Sequence, residues 1–144
     1  MEALMFRDME GNLYAKSHVD KHHVIPQCRM NSCNERQFVN LSGLVVPILK
    51  TFHNDGKESL HAQVPLAPKP VGNLMYLIRM HIYEQDQATN TYDRFLDIND
   101  YIHNVAETTR DIGMGVNAGR IARNFELQIP FILSGMVERV DDGN

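Results

Sequence analysis

Three prolines within six residues, Pro65, Pro68 and Pro70, divide this chain into two halves of different character. Proline lacks a backbone N–H and fixes φ, so Val64-Pro65-Leu66-Ala67-Pro68-Lys69-Pro70 cannot continue a helix or a central strand. It reads as a linker. Before it, short apolar runs alternate with turn residues; after it, apolar residues recur at helical spacing. The expectation is an α+β chain with one unit over residues 1–70 and a mainly helical part over 71–144. A length of 144 residues suits one domain, or a small domain with a helical extension.

In the first half, Ala3-Leu4-Met5-Phe6 and Asn12-Leu13-Tyr14-Ala15 flank a Gly-Asn turn signal and read as a β-hairpin. Residues 20–36 read as irregular around Pro26. Phe38–Leu41 and Gly43–Pro47 read as extended, and a helix is expected to start at Pro47, since proline suits a first helical turn. Asn54-Asp55-Gly56 interrupts that helix before Ser59-Leu60-His61 resumes it.

In the second half, Leu74, Leu77, Ile78 and Ile82 mark the apolar face of one helix. Asn90 or Thr91 can cap a second helix carrying Phe95, Leu96, Ile98, Tyr101, Ile102 and Val105. A third covers Ala118 to Met136, with Pro130 kinking or ending it. Gly113, Gly115 and Gly119 approach this helix but follow no clear strand, so they match neither nucleotide-binding fingerprint.

Chemistry concentrates in Lys21-His22-His23-Val24-Ile25-Pro26-Gln27. With His53 and His61, four of the seven histidines fall in one 40-residue window. Neutral imidazole is a good ligand for borderline transition metals and a common general base near pH 7. In an extended segment adjacent side chains point in opposite directions. One histidine of the pair can then face a metal while the other serves as base for a water attacking a phosphodiester. The two cysteines, Cys28 and Cys33, read as reduced thiols; as half of a zinc site they would lack a second pair.

His22-His23-Val24-Ile25-Pro26, Asn40-Leu41, Pro47, His53 and His61 together resemble the HNH (ββα-metal) nucleases, in the double-histidine branch found in bacteriocin, toxin and phage-type nucleases. The resemblance covers roughly residues 18–65. It implies a small ββα-metal unit in which His22 is the first metal ligand and His23 the general base. Asn40 braces the loop and orients that base, and His53 and His61 complete the ligand set. It further implies one divalent ion, Mg²⁺, Mn²⁺, Ni²⁺ or Zn²⁺, and a nucleic-acid substrate, DNA ahead of RNA. The spacing departs from the family, whose last two histidines usually lie about four apart. Eight residues of unbroken helix span about 12 Å, so the Asn54-Asp55-Gly56 interruption must fold back, or Asn54 must replace one histidine as ligand.

Charge is divided unevenly. Residues 1–73 hold eight Lys/Arg and seven Asp/Glu, whereas residues 74–144 hold six Arg and eleven Asp/Glu, giving +1 and −5. Such a chain is not expected to coat nucleic acid non-specifically. The acidic helical half instead suits a protein partner or a homo-oligomer, and the rival reading is a catalytically inactive HNH-like binding or regulatory protein acting through that half. No apolar run has the length of a signal peptide or a membrane span, so the chain reads as cytoplasmic and soluble, with no membrane partner.

Overall fold

The computed structural model describes residues 5–25, 45–72, 74–88, 94–113 and 115–140. Strands β1 (Met5–Arg7), β2 (Leu13–Ala15), β3 (Val19–His23) and β4 (Val45–Leu49) come first. Two single-turn helices follow, α1 (Lys50–His53) and α2 (Leu60–Gln63). Three long helices, α3 (Leu74–Ala88), α4 (Arg94–Gly113) and α5 (Val116–Gly135), lead to a short strand, β5 (Glu138–Arg139). The architecture is mixed α+β, with small sheets at the N-terminal end and α4 packed along α5. Among the described residues no helix is long and apolar enough to cross a membrane. Cys28, Cys33, Asn40, the extended segment Phe38–Leu41 and the cap candidates Asn90 and Thr91 lie outside the described residues.

The expected hairpin forms, with Met5 opposite Ala15 and Arg7 opposite Leu13. Asp8 holds its turn: Oδ1 accepts the backbone N–H of Glu10 and Asn12, and Oδ2 accepts the Tyr14 hydroxyl. β5 adds to the other edge of β1, pairing Phe6 with Arg139, so the sheet order is β2-β1-β5. An ion pair of 2.7 Å between Arg7 and Glu138 lies along that edge.

The second sheet corrects two expectations. Asp20–His23, the start of the 20–36 segment read as irregular, continues from Val19 as a regular strand antiparallel to β4. Pro47 does not open a helix. It sits within β4 opposite Lys21, and helix begins only at Lys50. Proline is tolerated in a strand where no ladder N–H is needed. Here its carbonyl contributes instead, accepting the Val137 N–H at 3.0 Å, while Ile48 next to it bridges to Met136.

The three long helices follow the apolar periodicity closely. Ile78 and Ile82 on α3, Ile98, Ile102 and Val105 on α4, and Ile121, Phe125 and Ile132 on α5 are buried. A buried side chain of this size contributes about 1.5–3 kcal/mol. Two details differ: Leu77 is exposed and Met75 takes its place in the core, and α5 runs on through Pro130 to Gly135. Pro130 is exposed, so the helical hydrogen bond it forfeits is on the solvent side.

Val24, Ile25, Val46, Leu60 and Val64 from the first half join the same core as the helices. The proline segment has no regular structure, yet it is fastened to α5. Asn124 Nδ2 donates to the Pro65 carbonyl at 2.7 Å, Asn117 Nδ2 donates to the Lys69 carbonyl, and the Val71 N–H donates to Asn117 Oδ1. This strap is what lays α5 beside the histidine-bearing elements.

Candidate metal centre

β3 carries the histidine pair, and strand alternation separates its two members. His22 points into the interior and is 3% exposed, whereas His23 is half-buried. His53 is the last residue of α1 and is buried; His61 lies in α2 and is exposed. The eight-residue spacing is resolved by a reversal. After α1, Gly56 takes φ +83°, a left-handed conformation that glycine adopts at little cost. Buried Ser59 then closes the loop, its hydroxyl donating to the Gly56 carbonyl at 2.9 Å and its own carbonyl accepting the Ala62 and Gln63 N–H groups. α2 therefore folds back on α1, and His61 Nε2 lies 2.9 Å from His53 Nε2.

His22 completes the group. Its ring centroid is 5.1 Å from that of His53 and 5.6 Å from that of His61. One candidate ligand nitrogen from each of the three histidines falls within 4.8 Å of the others. Three imidazole nitrogens around one ion at about 2.1 Å are separated by roughly 3.4 Å, a span bracketed by the distances here.

Two side chains that sequence reasoning did not single out orient these rings. Asp20 Oδ2 lies 3.0 Å from His53 Nδ1. A carboxylate only accepts, so His53 donates through Nδ1 and leaves the Nε2 lone pair facing His61. Gln128, from α5, has both amide hydrogens committed, to the Val24 carbonyl at 3.1 Å and to Asn124 Oδ1 at 2.8 Å. Its Oε1 is thereby turned to His22 Nε2, 2.6 Å away, and accepts the proton there. The His22 Nδ1 lone pair is the one left over. Such hydrogen bonds to the second ring nitrogen are how proteins fix the tautomer of a ligating histidine.

The electrostatics agree with that donor set. Burial pushes His22 down to about 4, against the opposing hydrogen bond to Gln128, and the neighbouring histidines lower it further. Burial and the nearby His53 also lower His61, against the pull of Asp20. Both rings are therefore neutral near pH 7, the form that binds a metal.

The cluster can hold a metal ion. Three nitrogen donors, a carboxylate and an amide behind them, and an opening to solvent match a site that keeps one coordination position free. That opening is a pocket of about 260 Å³ whose lining includes Lys21, His23, Leu60, Val64, Leu66 and Ala67. Of the residues expected to form the site, His22, His53 and His61 come together and His23 lines the same pocket. Asn54 is exposed at the C-terminal end of α1, its N–H closing on the Lys50 carbonyl. Asn40 is outside the described residues. Asp20 has a signal once Val19–His23 is known to be a strand, since positions i and i+2 of a strand share a face. Gln128 and Asn124 had a weaker one, a polar i, i+4 pair among the otherwise apolar buried positions of their helix. Comparison of the chain with protein-family models, with curated proteins and with solved structures returned no match in any of the three, so the functional reading stands on the cluster itself.

Proposed function

We propose that this chain is a metal-dependent endonuclease of the HNH type, hydrolysing phosphodiester bonds of DNA. The observation that carries the reading is the convergence of His22, His53 and His61 around a space fit for one ion, with His23 beside it on the same strand. His22, His53 and His61 hold the ion. An all-imidazole donor set favours Zn²⁺ or Ni²⁺ over Mg²⁺, which prefers oxygen ligands. When bound, the ion polarises a phosphoryl oxygen and stabilises the leaving oxygen. His23 takes the proton from the attacking water, and Asp20 and Gln128 hold the ligand rings in the tautomers that face the ion.

Plasmid DNA incubated with the protein and Zn²⁺, Ni²⁺, Mn²⁺ or Mg²⁺ should be nicked and linearised, and EDTA should stop the reaction. His23→Ala should lower the rate about 10²- to 10⁴-fold while calorimetry still records one bound ion. A wild-type protein that binds no divalent ion ends this reading. A second reading is supported by α3, where Tyr76, Leu77 and Met80 are exposed together on an acidic half. There the chain is an inactive HNH-like protein that engages a protein partner, and metal binding without cleavage of any nucleic acid would favour it.

A further inference from the structure

A nuclease needs cations for its substrate, yet the chain carries a net charge of −4. The surroundings of the histidine cluster depart from that balance. Beside the pocket over the cluster lies a second, shallower hollow of about 410 Å³, and the two share Pro65, Leu66 and Asn124 in their linings. The second hollow is bounded on the α5 side by Val116, Arg120, Arg123 and Leu127. Arg120, Arg123, Asn124 and Leu127 stand at i, i+3, i+4 and i+7, one continuous helix face, and Gln128, which touches His22, continues it. Both arginines are exposed. Across the two hollows the described lining residues include Lys21, Arg120 and Arg123 and no Asp or Glu. Glu126, one turn on from Arg123, is held at both oxygens by Arg110 of α4, at 2.9 and 2.5 Å. Its charge is thus already matched within the protein.

We propose that this groove along the N-terminal two-thirds of α5 seats the DNA strand that is cut, with Arg120 and Arg123 each holding a backbone phosphate. The inference rests on the nuclease reading above. At about 1.5 Å per residue, Arg123 and Arg120 lie roughly 7.5 and 12 Å along the helix from Gln128. Those distances place both arginines beside neighbouring phosphates of a strand that passes the histidines. The guanidinium fork suits phosphate oxygens. Leu66, Pro68, Val116 and Leu127 line the same hollow and offer apolar surface to sugar and base faces. Placing the grip on α5 gives an acidic chain a local site for a polyanion: Lys21, Arg120 and Arg123 line the two hollows and no described lining residue is Asp or Glu.

The test uses a fluorescently labelled DNA oligonucleotide and the full chain loaded with Zn²⁺ and carrying His23→Ala, so that substrate is bound without being cut. Anisotropy titrations across a salt series give the slope of log K against log salt. Arg120→Ala and Arg123→Ala should each lower that slope by about 0.7–0.9 and the double substitution by about twice as much. Arg120→Lys and Arg123→Lys should keep it, and zinc stoichiometry should stay the same in every variant. Arg139→Ala, on the β5 edge, should leave the slope unchanged. If the double substitution leaves the slope unchanged while the parent binds DNA and protein with His23 intact cleaves it, the groove assignment is overturned and the nuclease reading survives. If the parent does not bind DNA and the intact protein does not cleave it, both fall together.

Discussion

Gln128 is the residue on which the histidine cluster leans most. It is 3% exposed and each of its polar atoms has a partner: His22, the Val24 carbonyl and Asn124. Gln128→Ala should cost about 1–3 kcal/mol of stability, because buried partners lose their bonds. It should also weaken metal binding about 10- to 100-fold, because His22 is no longer held in one tautomer. Long-range ¹⁵N–¹H spectra of His22 should show the Nε2–H tautomer in the wild type and a mixture in Gln128→Ala, with calorimetry giving the affinity. A mere packing role would lower stability and leave the tautomer unchanged. His22 also sets a pH dependence in the metal-free protein. Its folded value of about 4 lies below the ordinary 6.5, so between these values the unfolded chain binds the additional proton. Stability from the neutral ring is complete above pH 6.5 and is lost as pH falls toward 4, by up to about 3 kcal/mol. Urea denaturation between pH 7 and 4 should show this slope, and His22→Asn should reduce it. Of these features the sequence displayed the histidines plainly; the parity that pairs Asp20 with His22 emerges only once Val19–His23 is known to be a strand. Gln128 is 106 positions from His22, and no local pattern announces such a contact.

Secondary structure was legible where one period dominates. α3, α4 and α5 each repeat apolar side chains along a single face, and burial of that face decides the element. Pro47 was misread because a proline in a helical first turn and a proline in a two-stranded ladder look alike locally. The difference comes from Lys21 on one side and Val137 on the other. The α1–α2 reversal was legible only as a necessity: two histidines eight apart could not both bind one ion on a straight helix. Its physical seat is Gly56 together with the Ser59 bonds. A second close approach holds α1 in place from the other side. A Cβ built on Gly135 would collide with Cβ and Cγ of Phe52. Gly135→Ala should therefore push α5 away from α1 and destabilise the protein by about 1–3 kcal/mol. Thermal unfolding measures that loss. Because His53 follows Phe52 directly, zinc affinity should fall as well, whereas an exposed substitution such as Lys57→Ala should change neither.

For the molecule as a whole, the two halves drawn by the proline segment share one core, and the histidine cluster sits at their junction. α5 contributes to it twice, through Gln128 at His22 and through Gly135 at the foot of α1. Ion binding at the cluster should therefore stabilise the entire fold. At a free Zn²⁺ concentration 100 times the dissociation constant the gain should be about 2.7 kcal/mol. A calorimetric scan should show a single transition moving upward with Zn²⁺ and returning with EDTA, and His61→Ala should abolish the shift. Hydrogen exchange should slow in α5 as well as in β3; protection confined to β3 would mean that the helix is only a neighbour. The contact between His22 and Gln128 also orders events during synthesis. At about 5–20 residues per second, the ribosome needs roughly 5 to 20 s to go from one to the other. All three histidines are thus made several seconds before the amide that aligns the first of them, so a nascent chain holds the ligands of its metal centre well before it holds the centre.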